Sequence, residues 1–314
     1  MITDHGFSSI DLERRVLETA GFTLEEARPI CKTEDDIIER CKGVDVLMVQ
    51  WAPVTRRVME ALPEVRGYVR YGIGVDNIDV RSARELGRMV SNVPRYCLEE
   101  VSDHAVTLIL SLARRVPQDQ AQIARGKWGF TALLPIPAFS DLTLGLVGFG
   151  AIARKVSEKA KAFRFKQIAF DPFAPDQIFA DHGVQRVDQN TLLQTADIIS
   201  LHCPLTNETR HLINAESIAR MKLGVLLINT ARGALVNEGD LIAALQTGKI
   251  VGAGLDVFEK EPVAADSALR TLPNVIATSH AAAVSMRSLS LLQIQAGEAA
   301  RDMLLGKRPD GALA

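Results

Sequence analysis

Residues 142–153, LTLGLVGFGAIA, restrict this chain more than any other stretch. The apolar run at its start reads as a buried strand, and the residues after Gly150 open a helix. Gly148, Phe149, Gly150, Ala151, Ile152 and Ala153 place a G-x-G-x-x-A pattern on the turn between them. Each small residue has a physical task there. Gly148 permits the tight turn, and Gly150 lets the backbone approach a pyrophosphate whose charge rests on the helix N-terminus. Ala153 is small enough for close helix–strand packing. Asp171 ends the next strand, 21 residues after Gly150, where a carboxylate accepts hydrogen bonds from adenosine ribose hydroxyls. A 2′-phosphate would meet that carboxylate unfavourably, so the expected cofactor is NAD rather than NADP. The alternative, a glycine-rich turn in an unliganded α/β domain, leaves the placing of Asp171 unexplained.

The same alternation of short apolar runs and amphipathic stretches fills the chain. It predicts an α/β protein with largely parallel sheets. Five strands are expected before residue 94, in MITDH, FTLEEA, VDVLMVQ, VRGYVRYGI and RMVSNV, with helices over 9–20 and 34–42 among them. A long helix follows over 99–116, apolar at Val101, Ala105, Leu108, Leu112 and Val116. An irregular, Pro-containing stretch comes next. A second series of strands runs through LTLGLVGFG, KQIAFD, ADIISLHCPL, GVLLINTAR, IVGAGLDVF and NVIATSH, and a last helix spans 284–305. With 314 residues, two domains are expected.

In open parallel sheets, ligands bind beyond the C-terminal strand ends. Three of those ends here carry ionisable groups: Arg232 after LLINTA, Glu261 in the loop after GAGLDVF, and His280 closing NVIATSH. Singly, each has an ordinary reading as a surface, loop or packing residue. Together, beside a nicotinamide, they supply what hydride transfer to a 2-oxo acid needs. A histidine exchanges the hydroxyl proton near neutral pH. A carboxylate orients the ring and stabilises the imidazolium, and an arginine holds a substrate carboxylate by a two-point fork.

The stretches VRYGIGVDNID, GLVGFGAIA, LHCPLTNETRHLIN, INTARGALVNEGDLIAAL and GAGLDVFEKEP resemble the D-isomer-specific 2-hydroxyacid dehydrogenase family, over nearly the whole chain. The resemblance implies a Rossmann NAD-binding domain, residues 98–282, inserted into a flavodoxin-like substrate domain, residues 1–97 and 283–314. It implies Arg232 as the substrate-carboxylate ligand, with backbone amides of Tyr71, Gly72, Ile73 and Gly74 as a second anchor. Glu261 is implied as partner of His280, and His280 as the acid/base. Cys203, Pro204 and Thr206 would lie along the cofactor with Gly148, Gly150, Ala151, Ile152 and Asp171. Thr230, Ala231, Asp256, His280 and Ala282 would stand near the nicotinamide. The segment GKWGF would join a homodimer contact.

Departures from the family pattern are Ser279 before the histidine, Ala283 where some relatives carry an aromatic residue, and Ala151 where many carry Arg. They touch substrate preference rather than the reacting groups. Gln50 and Trp51, at a strand end of the first domain, are candidates for the substrate side-chain wall. Two other functions share parts of the pattern. One is an NAD(H)-sensing binding protein of the C-terminal-binding-protein type. The other is a formate or phosphite dehydrogenase, and Glu261 in place of Gln weighs against formate.

A net charge of −2 with 24% charged residues gives no basic face for nucleic acid or an anionic membrane. Cys31, Cys41, Cys97 and Cys203 form no CxxC pair and no zinc-ligand spacing, so no metal is expected, and a reducing, cytoplasmic setting fits. The N-terminal residues have neither the basic nor the apolar region of a leader, and no run of 18 uncharged apolar residues occurs.

Overall fold

The computed structural model describes residues 1–314. The chain divides into two compact units, Met1–Cys97 with Val284–Ala314, and Leu98–Ala283. No helix is long and apolar enough to cross a membrane.

The first unit has a parallel three-stranded sheet of β1 (Val46–Val49), β2 (Gly67–Arg70) and β3 (Met89–Ser91), in that order. The first two strands expected from the sequence shrink to single-residue bridges. Ile2 pairs with Glu26 on one side and Met48 on the other. The chain turns away after Thr3, because the Asp4 side chain takes the amides of Gln50, Trp51 and Ala52 that would otherwise need other partners. Counting the bridges, the spatial order is second, first, third, fourth, fifth, the flavodoxin-like order. The closing helix, Met286–Leu304, starts at a Ser285 capping box and packs Leu292, Ala296, Ala300 and Met303 onto this core.

The second unit holds seven parallel strands: β4 (Thr143–Val147), β5 (Lys166–Phe170), β6 (Gln185–Arg186), β7 (Ile198–Leu201), β8 (Val225–Asn229), β9 (Ile250–Leu255) and β10 (Val275–Ala277). Their order is β10-β9-β8-β7-β4-β5-β6. This is the doubly wound Rossmann order with one strand added, and the direction reverses between β4 and β7. Strands β7 and β8 are buried throughout, because helices cover both faces, which explains their unbroken apolar sequences. The two-residue β6 escapes sequence reading, since both its residues are exposed.

The long helix ends earlier than its apolar spacing suggests, at Ala113. Arg115 turns into the left-handed region at φ 55°, and a separate helix, Val116–Ala124, begins with Pro117 in its first turn. Pro is tolerated there because a first-turn N–H has no intrahelical partner. The sequence reading treats this segment as irregular, and the helix corrects it.

Candidate active site

The turn after β4 is built as its sequence demands. Gly148 has φ 86°, and a Cβ there would lie 2.8 Å from the Cys203 nitrogen. Both the conformation and the close approach of the loop after β7 therefore require glycine. Gly150 is different. Its φ of −73° suits any residue, and a Cβ there would meet no protein atom within 4 Å. Nothing inside the protein asks for glycine at 150, whereas a pyrophosphate closing on the backbone does. Ala153, on the helix Ala151–Lys161, is fully buried, and the first amides of that helix have no intrahelical partner.

Asp171 locks this turn to β5. One carboxylate oxygen accepts the Phe149 amide (2.8 Å), and the other accepts the amides of Phe173 (2.9 Å) and Ala174 (3.1 Å). An ionised carboxylate has roughly four acceptor sites, so capacity for a ribose hydroxyl remains. Cys203 sits against Gly148, and burial pushes its thiol up to about 11, so it is a neutral wall rather than a nucleophile. Burial likewise pulls the neighbouring His202 down to about 4, and its Nε2 pairs with the Ser200 hydroxyl (2.8 Å). Pro204 and Thr206 are exposed. The Thr209 hydroxyl, absent from the sequence reading, ties both together by donating to the Pro204 carbonyl (2.7 Å) and accepting the Thr206 amide (2.7 Å).

After the ends of β8 to β10 stand Arg232, Glu261 and His280, the three ionisable residues expected from the sequence. His280 Nδ1 lies 2.7 Å from Glu261 Oε2, while Glu261 Oε1 accepts the Phe258 amide at 3.0 Å. The carboxylate can only accept, so Nδ1 carries the proton of this pair, and Nε2 of the half-exposed ring has no protein hydrogen-bond partner. Burial works to raise the Glu261 carboxyl. The His280 bond, the Phe258 amide and the charges of His280 and Arg232 outweigh it and hold the group below the ordinary carboxylate range. Arg232 is thus close enough to act on Glu261 electrostatically. Its Nη1 donates to the Ala231 carbonyl (2.7 Å), and Asn229 braces the turn by donating to the Arg232 carbonyl (2.8 Å).

Gly233 joins the arginine loop to the glutamate loop. A Cβ at 233 would fall 1.9 Å from the Phe258 carbonyl carbon and oxygen, so only glycine permits this backbone contact. The Thr230 hydroxyl beside it is buried with no partner. A buried unpaired hydroxyl costs about 1–3 kcal/mol, which a ligand amide would relieve. Together with Gly150 and Asp171, it makes these residues a fit for a dinucleotide.

The structure gives Asp256 more work than the sequence suggested. It is 1% exposed, and its carboxylate accepts the Thr278 hydroxyl (2.5 Å) and the amides of Ala281 and Ala282 (both 2.9 Å). Its carbonyl accepts the His280 amide (2.8 Å). His280 itself is left-handed, at φ 55°, a conformation that costs a non-glycine residue about 1 kcal/mol or more. A left-handed residue followed by free amides forms a concave anion nest, and Asp256 fills it. Thr278 and its contact His104 (3.0 Å to Nε2) were not singled out by the sequence, which shows no link across so long a separation.

In the first unit, the four-residue anchor expected from sequence narrows. The Tyr71 amide is spent on the Val49 carbonyl (2.8 Å) and that of Gly72 on the Arg70 carbonyl (3.0 Å). Ile73 and Gly74 keep amides without a protein partner, in a loop held by Asn92 donating to the Ile73 carbonyl (2.6 Å). The Tyr71 side chain points into the core, where its hydroxyl donates to Glu13 (2.9 Å). Gln50 accepts the Gly6 amide (2.8 Å), and Trp51 stands 59% exposed over Gly6.

Residues 106–282 match the model described as "D-isomer specific 2-hydroxyacid dehydrogenase, NAD binding domain". The chain belongs to the D-isomer specific 2-hydroxyacid dehydrogenase family. Its second unit is accordingly the family's NAD-binding domain. The chain is 41% identical over 268 residues to the D-3-phosphoglycerate dehydrogenase of Methanocaldococcus jannaschii, covering 85% of itself but half of that protein. It is 43% identical to the hydroxypyruvate reductase of Thermotoga maritima, over 79% of itself and 80% of that protein. Among solved structures, a D-lactate dehydrogenase from Aquifex aeolicus complexed with NAD and lactic acid superposes with a TM-score of 0.86 at 28% identity, over 97% of this chain and 95% of that one.

Proposed function

We propose that the protein is an NAD-dependent oxidoreductase that interconverts a 2-oxo acid and a D-2-hydroxy acid. The observation that carries this reading is the His280–Glu261 pair, with Nε2 left without a protein partner and with Arg232 close enough to lower the Glu261 carboxyl. When bound, NADH supplies the hydride. Glu261 holds the imidazole with Nδ1 protonated and stabilises its positive form. His280 Nε2 gives its proton to the carbonyl oxygen of the 2-oxo acid, and takes it back from the hydroxyl in the reverse direction. Arg232 binds the substrate carboxylate by its planar fork and polarises the adjacent carbonyl. We assign the Ile73 and Gly74 amides of the first unit to substrate binding, as the family resemblance implies. Asp171 is assigned to the adenosine ribose, which favours NAD over NADP.

The names of the relatives support a small 2-oxo acid. Hydroxypyruvate reductase, glyoxylate reductase and (S)-sulfolactate dehydrogenase all match 79% or more of this chain. The exposed Trp128 and Phe130 support assigning residues 126–130 to a homodimer contact, which sedimentation tests directly. The absence of CxxC pairs fits a cytoplasmic setting.

The deciding experiment follows NADH oxidation with a panel of 2-oxo acids: glyoxylate, hydroxypyruvate, pyruvate, and branched and aromatic members. Turnover with at least one, lost in His280→Ala, is the expected result. NADH binding without turnover across the panel would reject the oxidoreductase and leave a nucleotide-sensing protein.

A further inference from the structure

The Asp256 nest raises a question that the acid/base pair alone does not answer. His280 sits in a left-handed turn, yet its imidazole must be aimed to a fraction of an ångström. What fixes the turn is a carboxylate, and a buried carboxylate is only as fixed as its own donors. Asp256 Oδ2 takes the Ala282 amide, while Oδ1 takes the Ala281 amide and the Thr278 hydroxyl. Thr278 has one proton, and the ionised carboxylate cannot donate, so that proton lies toward Asp256. The contact between Thr278 Oγ1 and His104 Nε2 (3.0 Å) must then be donated by the histidine. His104 Nε2 also stands 3.7 Å from Asp256 Oδ1. The result is a directed chain: His104 to Thr278, Thr278 to Asp256, and the amides after His280 onto Asp256. His104 lies on the helix Leu98–Ala113, and Asp256 follows β9, so the chain anchors a loop to two rigid elements.

We infer that His104 and Thr278 are positioning residues for the acid/base histidine: as an N–H and O–H relay, they fix the Asp256 carboxylate that closes the anion nest formed by the His280 turn. This rests on the acid/base reading of His280 for its effect on rate, while the clamp itself is a property of the free protein. Each link in such a chain polarises the next, so removing the middle hydroxyl loosens both ends. Asp256 also binds the Asn229 carbonyl through its own amide (3.0 Å), so the clamp reaches the strand that leads to Arg232.

The test uses Thr278→Val, which keeps the shape and removes the hydroxyl, with Thr278→Ser as rescue. In the free protein, hydrogen exchange at the Ala281 and Ala282 amides is expected to quicken on the order of tenfold in Thr278→Val and to return in Thr278→Ser. Nitrogen-15 NMR is expected to show His104 with its proton on Nε2. With an active 2-oxo acid, kcat is expected to fall on the order of tenfold in Thr278→Val, while KM for NADH stays within about twofold. If Thr278→Val does not fold, His104→Ala takes its place in the same three measurements, with His104→Gln as the rescue that keeps a donor.

Unchanged exchange at residues 281 and 282, or a His104 proton on Nδ1 alone, would overturn the clamp. A fall in kcat matched by the folded fraction, without rescue, would reduce Thr278 to a packing residue and overturn it equally. A wild-type protein inactive on the whole panel would defeat the oxidoreductase reading, while exchange and tautomer would still judge the clamp.

Discussion

The two units solve the same local problem with the same device and put it to different ends. In the first, Asp4 (1% exposed) accepts the amides of Gln50, Trp51 and Ala52 and so fixes the loop after β1. In the second, Asp256, equally buried, accepts the amides of Ala281 and Ala282 and fixes the loop after β10. A buried aspartate at a strand end converts a flexible loop into a rigid one, because each amide it accepts also offsets its burial. What the fixed loops carry differs. The second unit holds out titratable side chains, Arg232, Glu261 and His280. The first holds out neutral groups, the Gln50 amide, the Trp51 indole and the free amides of Ile73 and Gly74. Under the proposed function, chemistry would fall to the second unit and recognition to the first, on two folds that share a construction rule.

That division makes substitutions in the two units fall on different kinetic parameters. The largest effect is expected for His280→Ala, where loss of the proton donor should lower kcat by on the order of 10²-fold or more, with NADH affinity little changed. Near-normal turnover would remove the second unit's claim to the chemistry. Next is Gly233→Ala. The added Cβ meets backbone that cannot yield cheaply, so the Arg232 and Glu261 loops must separate. Overpacking of this kind costs about 1–3 kcal/mol, and a lower melting temperature with a lower kcat is expected. A smaller effect belongs to the first unit. Trp51→Ala should change the ranking of 2-oxo acids by about tenfold in kcat/KM, the scale of one apolar contact, and leave the Kd for NADH where it was. An unaltered ranking would deny the first unit its recognition role.

The subtlest comparison is in pH. Glu13 of the first unit is buried, and burial raises its carboxyl above the ordinary range despite bonds from Tyr71 and Gln293. Its contribution to stability is fully present below the ordinary carboxylate pKa and is lost as pH rises through the raised value. Glu261 of the second unit is lowered, so its contribution is present above the ordinary pKa and lost as pH falls through the lowered one. Melting curves of Glu13→Gln should therefore gain on the wild type as pH rises above the ordinary carboxylate range, and those of Glu261→Gln should gain on it as pH falls below that range. Slopes of the same direction in both variants would contradict the assignment.

The sequence by itself determined what depends on short range. Gly148, Ala153 and Asp171 could be named because the strand, turn and helix around them are contiguous. The α/β class followed from the repeated alternation of apolar runs and amphipathic stretches. Arg232, Glu261 and His280 could be set at neighbouring strand ends because strand ends in a parallel sheet all point one way. Tertiary structure alone decided the rest. Whether Ile2 and Glu26 made strands or single bridges depended on Asp4 and on amides nearly fifty residues away. Which of the amides at 71–74 stayed free depended on the Val49 carbonyl. That Gly233 must touch Phe258, and that His104 reaches Asp256 through Thr278, are facts of chains meeting after the fold has formed. Hydrogen bonds and close contacts between distant segments leave no periodicity behind, so no reading of one segment at a time can find them.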